Sequence, residues 1–412
     1  MKKRIIASAL ALSFAVPCAF AQDASNVRVS GFGTGALTWT NTDQAEFTRP
    51  NQASGAKKSP ITGVDSNLGL QVDYKANNWL SLTGQGLVRK DAQDDFGAEL
   101  SWAFAKAKLS DDVSVRVGRI GLPAFMISDY RNVGYANTML RPPNEVYSQN
   151  LFNTLDGADV TWQHTYGDTT YTAQFAMGHN KTDLISDVNT TGGRMKVLNL
   201  VAEHGPLTLR FGRLTGLLSV NNTALPLLLN GLNAVAAGYR VPQLAQLATE
   251  LDVHNKKATF TSLGATLDWN NILVQSEFAK RKTDAYLNDT TSWYVMGGYR
   301  FGKILPYYTH AKLSIDGSPN TNIACPAGYP AACGLTVAAL TDKAAGLRYT
   351  GVGQGEQQTD SIGVRWDFRN SVALKVQFDH VRPNKASGLL SNVKPGFTSP
   401  VNVGAVALDF VF

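Results

Sequence analysis

Between Asn67 and Lys75 the chain places Leu68, Leu70, Val72 and Tyr74 on one face and Asn67, Gln71 and Asp73 on the other. A repeat of two is the mark of a strand with one apolar side. The turn Ala76-Asn77-Asn78 leads directly into Trp79–Arg89, which alternates again. The unit is therefore strand, tight turn, strand, long loop.

That unit recurs along the chain. Glu99–Leu109 and Val113–Ile120 flank Ser110-Asp111-Asp112, Ala158–Thr165 and Thr170–His179 flank Tyr166-Gly167-Asp168, and Met195–Glu203 and Leu207–Thr215 flank His204-Gly205-Pro206. Further on, Ser262–Trp269 and Ile272–Arg281 flank Asn270-Asn271, Ser292–Phe301 and Ile304–Leu313 flank Gly302-Lys303, and Asp360–Phe368 and Val372–His380 flank Arg369-Asn370-Ser371. With a Gly-rich first strand at Val27–Thr40 and a last one at Val401–Phe412, the pattern predicts sixteen strands, seven short turns and eight longer connections. The fourth strand alternates poorly, because Trp102 and Phe104 share a phase with Lys106 and Lys108.

An even number of strands near ten residues long, with short turns at one end and long loops at the other, describes an outer-membrane barrel. Sixteen strands enclose more space than side chains can fill, which leaves an aqueous channel. Only a closed barrel lets strands satisfy every backbone group in lipid. By phase the inward positions include Asp73, Arg89, Arg116, Asp159, Glu203, Arg210, Glu277, Arg281, Arg300, Arg365, Lys375 and Asp379. Periodicity alone also admits a soluble sandwich with the apolar face inside. The strand ends favour the membrane, since Trp79, Trp162, Trp269, Trp293, Tyr74 and Tyr171 lie near turns or loop junctions, as interfacial aromatic girdles do.

Three connections are long. Residues 121–155 carry apolar and aromatic side chains together with Asp129, Arg131, Arg141 and Glu145, too much for a disordered segment. We expect this stretch to fold into the lumen and narrow it. In residues 217–257, Leu244, Leu247 and Leu251 recur at helical spacing after Pro242, which predicts short helices at the mouth or the inner wall. Residues 314–358 read as a surface loop holding Cys325 and Cys333.

The first 21 residues, with Lys2, Lys3 and Arg4, an apolar run and Ala19 and Ala21, read as a secretory signal peptide, leaving residues 22–412 as the barrel. Cleavage before Cys18 for a lipid anchor is the alternative, which Pro17 fits poorly. Removing those residues lowers the net charge from +6 to +3. Dispersed basic residues on an exported chain exclude a nucleic-acid partner. Export also makes a Cys325–Cys333 disulfide the natural reading, contributing about 2–3 kcal/mol locally on the chain-entropy model. No remaining segment offers the roughly 20 apolar residues of a membrane helix.

The sequence resembles the Gram-negative trimeric porins over its whole mature length. The likeness rests on Gly31-Phe32-Gly33, on Gly118-Arg119 followed by Pro123, on the long third loop and on the C-terminal Val406-Ala-Leu-Asp-Phe-Val-Phe. It implies an all-β, sixteen-stranded transmembrane barrel in the outer membrane. It also implies a homotrimer in contact with outer-membrane lipid and lipopolysaccharide, passing small hydrophilic solutes without chemistry. In such porins the third loop sets an acidic edge against wall arginines, and Phe412 fits the family's terminal assembly signal. Here Arg131 and Arg141 share the loop with Asp129 and Glu145, which departs from that pattern.

The candidate constriction therefore comprises Asp129, Arg131, Arg141 and Glu145 on the loop and Arg116, Arg210, Arg281, Arg300 and Arg365 on the wall. Opposed rows of charge orient and select permeating solutes. The plainer reading is that these charges pair and fix the loop. Tyr130, Tyr135 and Tyr147 offer a stacking surface for a solute or, more simply, anchor the loop. The six histidines show no ligand spacing, so no metal and no cofactor is expected. No Gly-x-Ser-x-Gly is present, and the expectation is a channel rather than an enzyme. A substrate-specific channel for an anionic or zwitterionic solute, and a surface-binding barrel with a closed lumen, are the competing functions.

Overall fold

The computed structural model describes residues 26–183, 188–221, 224–285, 287–317, 320–347, 355–385 and 387–412, so the expected signal peptide at 1–21 lies outside the described residues. The strands are β1 (Val27–Thr40), β2 (Asn67–Lys75), β3 (Leu80–Lys90), β4 (Phe96–Lys108), β5 (Val113–Gly121), β6 (Thr154–Tyr166), β7 (Thr169–Asp183) and β8 (Asn189–His204). They continue as β9 (Leu207–Asn221), β10 (Lys256–Trp269), β11 (Ile272–Thr283), β12 (Asp289–Tyr299), β13 (Ile304–Gly317), β14 (Glu356–Arg369), β15 (Val372–Lys385) and β16 (Val401–Val411). Each pairs antiparallel with the next, and β16 closes on β1 with Phe32 opposite Val411 and Thr40 opposite Val403. The fold is all-β, a closed barrel of sixteen strands.

Period-two alternation produces two unlike faces. On β15, Val376 and Phe378 are exposed while Lys375, Gln377 and Asp379 between them are buried. The exposed apolar side is the outside of the cylinder. Trp79, Trp162, Trp269, Tyr74 and Tyr171 are exposed there, whereas Trp293 is half-buried with its ring 5.3 Å from His310.

Two expectations need correction, and the poor alternation of the fourth strand finds its cause. Several strands run further toward the long loops than alternation indicates: β7 reaches Asp183, β8 starts at Asn189, β9 reaches Asn221 and β10 starts at Lys256. Beyond the lipid there is no apolar requirement on the outer face, so pairing continues where the pattern has stopped. On β4, Gln85 faces Trp102 but Gly86 faces Leu100, a bulge that absorbs Ser101 and changes the phase. Leu100 therefore points out, while Trp102 and Phe104 share the lumen side with Lys106. Within 314–358, Ala331–Leu347 forms a 17-residue helix, α4, rather than loop. Its small residues are mostly alanine, the strongest helix former.

The other helices are α1 (Asn144–Tyr147), α2 (Ala224–Gly238) and α3 (Pro242–Leu251). Leu244, Leu247 and Leu251 of α3 are buried in one apolar cluster with Leu151, Phe152, Leu218 and Cys333. Cys325 and Cys333 are joined by a disulfide.

Gly118, Gly157 and Gly178 stand side by side across β5, β6 and β7. A Cβ at Gly118 would overlap the Ala103 carbonyl, and one at Gly157 the Met177 carbonyl; Gly118 also has φ +131°. This row lies just below the point where β5 hands over to the third loop. Gly118→Ala or Gly157→Ala should cost about 1–3 kcal/mol through backbone strain. Thermal melting of the folded barrel, read by its altered gel mobility, should fall for both and stay unchanged for Gly297→Ala, whose Cβ would meet nothing within 4 Å.

Candidate pore constriction

The third loop, Leu122 to Asn153, leaves β5 and is bound by side chains from the far wall. Its first pass is held by β9 to β11. Arg210 donates to the carbonyls of Pro123 at 2.7 Å and Ala124 at 3.3 Å, and Ser262 donates to Ala124 at 2.8 Å. Glu277 accepts the Met126 N–H at 2.9 Å with one oxygen and the Tyr147 hydroxyl at 2.7 Å with the other. One carboxylate thus ties two separate passes of the loop to the wall.

The middle is held by β13 to β16. Lys375 donates to the carbonyls of Gly134 (2.7 Å), Asn137 (2.6 Å) and Met139 (3.2 Å) and pairs with Asp409 at 2.9 Å. Asp409 also accepts the Thr34 hydroxyl at 2.6 Å. The Leu140 N–H donates to Tyr307 and to Gln377, each at 3.1 Å.

Arg141 opens the last pass with a buried fork. It donates to Asp65 at 2.9 and 3.0 Å and to Asp379 at 2.7 Å, and its guanidinium sits 4.8 Å from the Phe47 ring centre. Glu145 accepts from Gln357 at 2.7 Å and from the Thr359 hydroxyl. Burial pushes the Glu145 carboxyl up, and those two donors oppose the shift. Gln149 accepts from Thr290 at 2.7 Å and, through its carbonyl, from Arg281 at 3.4 Å. Buried side chains therefore satisfy a loop that crosses the lumen.

The predicted residues separate into groups. Arg141, Glu145, Arg210 and Arg281 are buried in the joint between loop and wall. Tyr147 is buried too, its ring 4.6 Å from Phe125, so it anchors rather than presenting a stacking face. Arg116 grips Asp159 across β5 and β6 and lies over the Phe104 ring at 5.2 Å. Asp129, beside this pair, has its carboxyl pushed up by burial, with Arg116 opposing.

Arg131 differs from the other loop charges. Among the described residues it has no ion-pair partner, and Glu99, the carboxylate that acts on it, already pairs with Arg89 at 3.1 Å. Burial, then the like charges of Arg89 and Arg49, push its guanidinium down.

Open space lies on both sides of the loop. On the long-loop side a cavity of about 290 Å³ is lined by Gln85, Arg89, Glu99, Trp102, Asp129 and Arg131, among others. On the short-turn side one of about 350 Å³ brings Tyr130 and Tyr135 of the loop against Arg300 and Arg365 of the wall.

Solved structures with the same architecture span nearly the whole chain. Salmonella typhi OmpF, in complex with daunomycin, aligns with a TM-score of 0.55 at 11% identity, covering 94% of this chain and 97% of its own. An anion-selective porin from Comamonas acidovorans aligns with a TM-score of 0.55 at 12% identity, covering 94% and 99%. OmpT, an outer membrane protein of Vibrio cholerae, gives 0.53 at 12%, covering 95% and 99%. The fold is that of the porins. No family model and no curated protein matches the sequence itself. At such identities the likeness carries the porin architecture and leaves the solute to this chain's own residues.

Sequence reasoning missed several members of the joint between loop and wall. Glu277, Lys375 and Asp379 already stood among the inward positions, and a charge on the lumen face of a strand opposite the loop was the signal available. Asp409 had the same phase signal on β16. Arg49 and Asp65 sit in the irregular connection 41–66, where no periodicity points anywhere.

Lys375→Met would leave Asp409 buried without its counter-ion and release three loop carbonyls, a loss of about 3–5 kcal/mol. Adding Asp409→Leu should recover most of the melting temperature. The Leu140 amide should still exchange faster than in the parent chain, because the strap on residues 134–139 is gone.

Proposed function

We propose that the chain is an outer-membrane porin that passes small hydrophilic solutes and ions by diffusion through a water-filled, anion-favouring channel. The observation that carries this reading is the barrel's polar interior, crossed by a tied-down loop with open cavities on both of its sides. An exposed apolar outer face and ends marked by exposed aromatics suit lipid. The signal-peptide reading of residues 1–21 supports export. A homotrimer is supported by the porin likeness and by the outward face of β1, where Gly35 is exposed beside Leu37 while the Phe412 and Phe410 rings cover Gly31 and Gly33. No step of chemistry is required of any residue.

The anion preference follows from which charges are still available to a solute. The carboxylates of the joint, Asp65, Asp159, Glu277 and Asp379, are buried and bonded. The long-loop cavity itself is lined by Asp91, Glu99, Asp129 and Asp183 as well as by Arg89, Arg119, Arg131 and Lys181, so the preference rests on the like-charge cluster at Arg131. Arg131, with Arg89 and Arg49 near it, faces the passage on the long-loop side.

Purified protein in planar bilayers should give conductance steps of stable size, with a reversal potential of anion-selective sign in a salt gradient. Arg131→Glu should shift that potential toward cations, since it sets a carboxylate beside the Arg89–Glu99 pair. Insertion without current would overturn the channel and favour the surface-binding barrel.

A further inference from the structure

We propose that the cavity on the short-turn side of the third loop is a binding subsite for a small polyhydroxylated monoanion of the sugar-acid class. This rests on the reading of the chain as a solute channel and names the solute chemistry for it. The cavity, about 350 Å³, lies at the small end of the range for small-molecule sites. Its roof is the loop between Ile127 and Thr138, and its floor is the wall from β10 to β14 just above the short turns.

The lining alternates donors with acceptors. Arg300 binds Asp268 through two bonds of 2.5 and 2.7 Å, and Arg365 binds Asp367 at 2.8 to 3.1 Å. Each couple still offers unused lone pairs on the carboxylate and further N–H groups on the guanidinium. A hydroxyl both donates and accepts, so a row of hydroxyls matches a row of such couples better than a plain ion or an apolar body does.

Two further features narrow the class. Arg300, Lys303 and Arg365 face only Asp268 and Asp367 as lining carboxylates, and Lys303 has no ion-pair partner among the described residues. The excess of one cation fits one negative charge on the solute. Tyr135 is already covered by the Arg365 guanidinium, 5.0 Å from its ring centre, whereas Tyr130 is exposed. Tyr130 therefore offers a free ring on which the C–H face of a sugar can rest, with its hydroxyls directed to the wall couples.

Glucuronate, glucose and acetate separate these contributions when titrated into the detergent-solubilised full chain by calorimetry. Glucuronate should bind, glucose more weakly, and acetate not at all. Lys303→Gln should weaken glucuronate by about tenfold, the loss of one charge-assisted contact, and leave glucose unchanged. Tyr130→Leu should weaken both sugars. The subsite is overturned if glucuronate gives no heat, if acetate binds as well as glucuronate, or if Lys303→Gln leaves glucuronate affinity intact. Calorimetry reads binding whether or not current flows, so the subsite and the channel can fail separately. In bilayers, glucuronate added from the short-turn side should interrupt the current more often than from the other side.

Discussion

Everything in this structure follows from the expense of a backbone N–H or C=O that has no partner and no water. In lipid the strands meet that constraint by closing on one another, with β16 bonded to β1 and no edge left over. The third loop meets the same constraint a second time, inside the cylinder, where much of its length is buried against the wall. A loop has no ladder to pair with, so the wall supplies partners from side chains. Lys375 serves three loop carbonyls, Arg210 two, Glu277 one amide, and the Tyr307–Gln377 pair another. Part of the wall's charge, Lys375, Arg210 and Glu277 above all, is thus explained by the loop's backbone.

Buried charges used in this way need their own neutralisation. Lys375 is balanced by Asp409, and Arg141 by Asp65 and Asp379. Such pairs return little net stability, since desolvation offsets much of the attraction, but removing one partner is strongly unfavourable. Their effect is geometric. A charge that can be satisfied in only one place holds the loop in only one position, and the width of the passage is then a fixed property of the fold.

The barrel was legible because alternation between lipid and water is enforced on both faces of every strand. Alternation fell silent where lipid ended, which is why β7 to β10 run past their expected ends. It broke at Ser101, where one extra residue shifts the phase and leaves Trp102 and Phe104 on the same side as Lys106, as their spacing indicated. The helix Ala331–Leu347 was read as loop because its alanines carry no periodic signal, although their intrinsic preference is helical. At the loop the residue types were legible and their roles were not. Arg131 and Arg141 look alike in sequence, ten positions apart on one segment. What separates them is whether a carboxylate from another part of the chain comes within reach: Asp65 and Asp379 do so for Arg141, and Glu99, taken by Arg89, does not for Arg131.

That difference also decides what the passage can do. A charge already bonded to a carboxylate presents a small dipole to a passing solute, while one left without a partner presents a field that water in the lumen screens only in part. The two sides of the loop then act unequally. On the long-loop side Arg131 adds to the like charges of Arg89 and Arg49, which on the proposed reading gathers anions without a shaped site to retain them. On the short-turn side the arginines are coupled to Asp268 and Asp367, so the attraction is weaker and the hydrogen-bonding geometry more defined. On the proposed reading, a field that gathers and a surface that discriminates stand in series across one loop, so that sign and hydroxyl pattern are selected with no moving part.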